Sequence, residues 1–255
     1  MYIQIHNRKI HFKKIGSGKP ILFVHGWGGN AYSLHELASL ASKNYTSYLI
    51  DLPGFGKSDN PPKHWGVEGY AELIKIFIEN VISSKVHYVG HSFGGEIGIY
   101  LASHFPDCIN SLILCNSSFK RQNKISKVAQ LFKFIPKEKN ILIRMIYPYI
   151  KKLYYTIINK QSDLIKYPHL ESNFRKIITQ DLTQDTNKIH LPTLILWGEL
   201  DTYTPVIWAY ELKKNISESK LYVFPEVGHN LPIRYPEHVW KKVKDFCCIK
   251  TSHYV

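Results

Sequence analysis

The residues with the most chemical potential in this chain lie in Val89-Gly90-His91-Ser92-Phe93-Gly94-Gly95. Gly90, Ser92 and Gly94 match G-x-S-x-G, with an apolar run before them and an amphipathic stretch after, a context that predicts a strand turning sharply into a helix. Such a turn strains the serine backbone and leaves no room for a Cβ at the flanking positions, which explains the glycines at 90 and 94. The hydroxyl of Ser92 would then stand at the tip of a sheet, beside the positive end of the next helix. A serine hydroxyl is a poor nucleophile until a base takes its proton, and an imidazole base needs a carboxylate to fix its tautomer.

Of the 13 histidines, His229 is the candidate base. Gly228-His229 follows the run LYVF and precedes the last helical pattern, so its loop returns to the edge where Ser92 sits. His91 adjoins the serine but is expected to point away from it, and His25 at a strand end is expected to brace a turn. Asp201, just past TLILWG, is the candidate acid and keeps the chain order serine, acid, histidine. Glu199, two residues earlier, reads as a turn residue. Asn116, at the end of the preceding strand, cannot serve as the acid. An acyl-transfer intermediate also needs two fixed N–H donors for its oxyanion. The backbone N–H of Phe93 is one candidate. That of Trp27, in His25-Gly26-Trp27-Gly28-Gly29, is the other, with Gly26 letting the loop lie close to a substrate carbonyl. No nucleotide-type glycine pattern, H-E-x-x-H or paired cysteine spacing is present, so no cofactor and no metal are expected.

These groups need a scaffold that brings strand ends to one edge. Short apolar runs at 20–24, 46–51, 85–90, 110–115, 193–198 and 219–224 alternate with helical patterns at 31–42, 67–83, 93–104, 205–215 and 236–247. An N-terminal hairpin pairs 2–6 with 9–15. The alternation predicts an α/β fold with a mostly parallel sheet, which places ligands outside the C-terminal strand ends. Between 117 and 183 no strand pattern of that type occurs. Basic, aromatic helical stretches occupy it instead, so 117–183 is expected to form a helical cap on a core made of 1–116 and 184–255.

The 255 residues fit one domain, with 44% hydrophobic and 21% charged residues. No apolar stretch is long enough for a transmembrane helix and no signal core opens the chain, so a cytoplasmic protein is expected. The four cysteines, Cys108, Cys115, Cys247 and Cys248, fit no redox or zinc spacing and read as thiols. Net charge is +13, and Lys120–Lys188 holds 15 basic against 5 acidic residues. A basic cap can recruit an acidic carrier protein or an anionic surface, or be a solvated helical face. No nucleic-acid reader motif accompanies it.

HGWGGN at 25–30, DLPGFGKSD at 51–59, GHSFGG at 90–95, WGELD at 197–201 and GHNLP at 228–232 together resemble the α/β-hydrolase superfamily, over nearly the whole chain. The resemblance implies an eight-stranded, mostly parallel sheet, a helical cap, and hydrolysis through an acyl-enzyme without a cofactor. Ser92 stands where haloalkane dehalogenases and epoxide hydrolases of this fold carry Asp. Asn230 follows the histidine where meta-cleavage C–C hydrolases usually have Trp. The nearest likeness is to small carboxylesterases such as the pimeloyl-ACP methyl ester esterases, although His91 and Phe93 replace the Trp and Leu usual there. The expected reaction is carboxylic ester hydrolysis on a small-molecule ester or acyl substrate. C–C bond or thioester hydrolysis, acyl transfer and a non-catalytic receptor role remain as alternatives.

Overall fold

The computed structural model describes residues 1–120 and 166–249. Eight strands form one sheet: β1 (Tyr2–Ile5), β2 (Arg8–Ile15), β3 (Lys19–Val24), β4 (Tyr45–Ile50), β5 (Val86–His91), β6 (Ile109–Cys115), β7 (Thr193–Gly198) and β8 (Ser219–Phe224). Their spatial order is β1-β2-β4-β3-β5-β6-β7-β8. β1 pairs with β2 and β2 with β4 antiparallel, and every later pairing is parallel. The continuous apolar runs follow from this. Helices cover both faces of a parallel sheet, so strands such as β4 and β7 are buried along their whole length.

The helices are α1 (His35–Ala41), α2 (Val67–Phe77), α3 (Phe93–His104), α4 (Glu171–Ile177), α5 (Thr183–Thr186), α6 (Ile207–Asn215), α7 (Leu231–Arg234) and α8 (Pro236–Ile249). One face of the sheet packs residues such as Leu22, Ile50, Leu112 and Trp197 against α2, α3 and α6. The other packs Phe23, Leu49, Val89 and Ile113 against α1 and α8.

After β4 the chain crosses back over β3 to lay down β5 on the far side. The strand order therefore reverses at β3, and a crevice opens at the C-terminal ends of β3 and β5. His25 follows the first of these ends and Ser92 the second.

Two helices differ from the sequence expectation. The first begins at His35 rather than 31, because side chains capture the preceding N–H groups. Ala31 donates to Asp51 Oδ1 at 2.6 Å and Tyr32 to Asn30 Oδ1 at 2.8 Å, which holds 31–34 as turns. The second ends as α-helix at Phe77 and continues as one wider turn over Ile78–Ile82, closed by Ser83 at φ 58°. The expected helical cap falls mainly on 121–165, outside the described residues. Its described C-terminal part carries a short 3₁₀ turn (Pro168–Leu170), α4 and the approach to α5. There Arg175 and Lys176 pair with Glu171 and Glu68, while Lys120 at the start of the cap and Lys188 just beyond it pair with Glu211 and Asp185. Ten of the fifteen basic residues counted above lie in 121–165.

Candidate active site

Ser92 ends the turn between β5 and α3 with φ 53° and ψ −115°, a left-handed conformation that a non-glycine residue holds only under strong constraint. The constraint is the packing of bare backbone. A Cβ on Gly94 would lie 2.2 Å from the carbonyl oxygen of Val24, and one on Gly90 would lie 2.4 Å from that of Gly94. Gly94→Ala therefore forces β3 and α3 apart. It is expected to cost about 3 kcal/mol, read as a lower urea midpoint with an unchanged m-value.

The loop after β3 passes directly over this turn. A Cβ on Gly26 would come within 3.0 Å of Ser92 Cβ and 3.2 Å of His91 Nδ1. The backbone of Trp27 and that of Phe93, the first residue of α3, thus flank Ser92 from two chain segments. His25 fixes the loop. Its Nε2 accepts the N–H of Leu52 at 3.1 Å, so the proton resides on Nδ1, which donates to Gly26 O at 2.7 Å. Burial lowers this ring's pKa to about 4, outweighing the Gly26 hydrogen bond. The neutral ring thereby ties the end of β4 to the loop after β3.

Asp201 follows β7, and His229 lies in the loop between β8 and α7. His229 Nδ1 stands 2.8 Å from Asp201 Oδ2. A proton shared there leaves Nε2 as the basic nitrogen. The carboxylate is fully engaged: Oδ1 accepts the N–H groups of Tyr203 and Thr204 at 2.8 and 2.9 Å, and Oδ2 accepts Thr204 Oγ1–H and Asn116 Nδ2–H, each at 2.6 Å. Burial alone would raise the carboxyl's pKa, but the His229 ring and the Thr204 donors hold it below the ordinary value. Asp201 is therefore an anion positioned beside His229.

Ser92, His229, Trp27 and Phe93 line one cavity of about 760 Å³, a size suited to a small-molecule substrate. Phe174, Ile177, Ile178 and Trp208 supply apolar wall, and Glu96, Lys120 and Lys166 supply charge. The Trp27 ring packs against Phe55, Phe93 and Phe174. Among the described residues no group of three or more His, Cys, Asp or Glu side chains is arranged to hold a metal ion. No described helix is long and apolar enough to cross a membrane.

Comparison with known proteins places this geometry. The family model of the α/β hydrolase fold matches residues 19–134. The crystal structure of the enol-lactonase from Burkholderia xenovorans LB400 superposes with a TM-score of 0.76, covering 97% of this chain and 100% of that one at 18% identity. The chain has the α/β-hydrolase fold. In sequence, the AB hydrolase superfamily protein YisY of Bacillus subtilis is 28% identical over 84% of this chain and 86% of its own. The 2-hydroxy-6-oxo-6-(2'-aminophenyl)hexa-2,4-dienoic acid hydrolase of Metapseudomonas resinovorans is 24% identical over 89% of this chain and 83% of its own.

Four residues of this hydrolase site were not assigned a task from the sequence. His91 is a positioning residue: its Nε2–H donates to His229 O at 3.0 Å, and its Nδ1 faces Gly26, so the ring spans the two loops. Burial and the neighbouring His229 ring lower its pKa to about 3, which keeps it neutral. Asn116, read only as a missing acid, turns at φ 47° and donates to Asp201. Thr204 also holds Asp201, and the D-x-x-T spacing at 201–204 is the sequence signal for that capped turn. Ser118 binds Glu96, and nothing in the local sequence pattern points to it.

Proposed function

We propose that this protein hydrolyses a carboxylic ester through an acyl-enzyme on Ser92. The observation that carries the reading is the His229–Asp201 pair, 2.8 Å apart, opening on the same cavity as a serine held at φ 53°. In this mechanism Ser92 Oγ attacks the acyl carbon while His229 Nε2 takes its proton. The N–H groups of Trp27 and Phe93 receive the oxyanion. The C–O bond to the alcohol breaks, and the alcohol leaves with the proton from His229. Water then gives its proton to His229 and its oxygen to the acyl carbon, which releases the acid and restores Ser92. Apolar walls from Trp27, Phe93, Phe174, Ile177 and Trp208 suit an acyl chain or an aromatic acid.

A fluorophosphonate probe tests the nucleophile, alongside turnover of a p-nitrophenyl ester series of increasing acyl length. Wild type is expected to be labelled and to show a preferred chain length, while Ser92→Ala takes no label and loses turnover. Absence of labelling on folded wild type overturns the reading. Relatives named as meta-cleavage product hydrolases make carbon–carbon cleavage the second reaction to assay. Labelling at Ser92 combined with turnover of a 2-hydroxy-6-oxo-hexa-2,4-dienoic acid, and none of any ester, would move the assignment there.

A further inference from the structure

An acid stands in the apolar wall of the site with no task in the mechanism above. Glu96 lies four residues after Ser92 on α3, and both line the cavity. Residues four apart share one helix face, and side chains lean towards the N-terminus, so the Glu96 carboxyl leans towards the Ser92 turn. It is only 5% exposed. Its position is fixed from the β6 side. Ser118 donates its N–H to Ser92 O at 3.2 Å and its Oγ–H to Glu96 Oε2 at 2.7 Å. Among the described residues Oε1 has no hydrogen-bond donor, and no cation lies within ion-pair distance of the carboxyl. Lys120, on the same cavity wall, is paired with Glu211. Burying a carboxyl without a counter-charge is costly, and glutamine or leucine would fill the same space at lower cost. Burial raises its pKa to about 7, so a ligand that favours the anion finds it readily available near neutral pH.

We propose that Glu96 is a specificity-determining residue whose free oxygen binds a hydrogen-bond-donating group, a hydroxyl or an ammonium, carried by the substrate close to the carbonyl that Ser92 attacks. This rests on Ser92 as the reacting residue. The cavity accordingly selects hydroxyacyl or aminoacyl esters over plain acyl esters of equal length. A site built to pair with a donor discriminates strongly against an analogue that lacks it, because the analogue leaves the buried acceptor unmatched.

The test uses three phenyl esters of equal acyl length: unsubstituted, hydroxylated and aminated. The readout is the ratio of kcat/KM for each substituted ester to that for the plain one, in wild type, Glu96→Gln and Glu96→Leu. Wild type is expected to favour one substituted ester by about tenfold or more. Which one leads separates hydroxyl from ammonium recognition. The ratio is expected to fall by about tenfold in Glu96→Leu, mainly through KM. Glu96→Gln, which keeps the shape and the Ser118 contact, is expected to lose the ammonium preference first. Equal ratios in wild type and both variants overturn the proposal. The same three esters are titrated calorimetrically into Ser92→Ala, with and without Glu96→Gln. A binding preference there supports the role of Glu96 even if Ser92 proves not to be the nucleophile, and equal or absent binding overturns it.

Discussion

Asp201→Asn is expected to lower kcat by about 10⁴-fold with a much smaller change in KM. The reason is the number of donors converging on one carboxylate. Oδ1 takes two backbone N–H groups, and Oδ2 takes Thr204, Asn116 and His229. An amide offers one oxygen in place of two. If that oxygen faces Tyr203 and Thr204, its NH₂ confronts the Asn116 amide and the Nδ1 of His229. The imidazole then accepts at Nδ1 and carries its proton on Nε2, where it cannot take one from Ser92. If the amide flips, two backbone N–H groups lose their acceptor and the turn after β7 is destabilised. Single-turnover kinetics on the best ester from the chain-length series checks this. A loss below tenfold would mean that His229 does not depend on Asp201 for its tautomer.

Those donors also show what could be read from the sequence and what could not. The strands and the site loops were legible because a buried parallel sheet demands continuous apolar runs, and because Gly90 and Gly94 have no tolerable substitute at their contacts. Ser92, Asp201 and His229 come to one sheet edge because each follows a recognisable strand. The start of α1 depends on a distant partner. Asp51, twenty residues on, takes the N–H of Ala31, and no local propensity encodes that. Asn116 and His91 each hold a neighbouring side chain or loop, a task that residue type and spacing do not mark. Ser118 and Glu96 meet only when β6 lies beside β5 and α3, and a twenty-two-residue separation leaves no periodic signal.

The same buried groups make the fold sensitive to acid, and the direction follows from their environments. Burial lowers the pKa of His25 and His87 to about 4, and burial with the His229 ring beside it lowers that of His91 to about 3. The unfolded chain takes up these protons near the ordinary 6.5, whereas the folded chain refuses them until far lower pH. Their contribution to stability is complete above 6.5 and is lost as pH falls towards 4. Three extra protons on the unfolded state correspond to about 4 kcal/mol per pH unit. Glu96 works in the opposite direction, because its carboxyl, raised to about 7 by burial, holds a proton in the fold that the unfolded chain releases near the ordinary value of 4.5. Between about pH 6 and 4.5 it offsets one of the three, leaving a net slope of about 3 kcal/mol per pH unit. Over that interval the loss is about 4 kcal/mol, a large fraction of the stability of an ordinary domain. Urea unfolding at pH steps from 8 to 4 is therefore expected to show a steep fall below pH 6. Glu96→Gln should steepen that slope by one proton and His87→Gln should flatten it by one. Unchanged slopes in both variants would mean that these groups titrate in the fold as they do in water, and that the burial described for them is relieved by local opening.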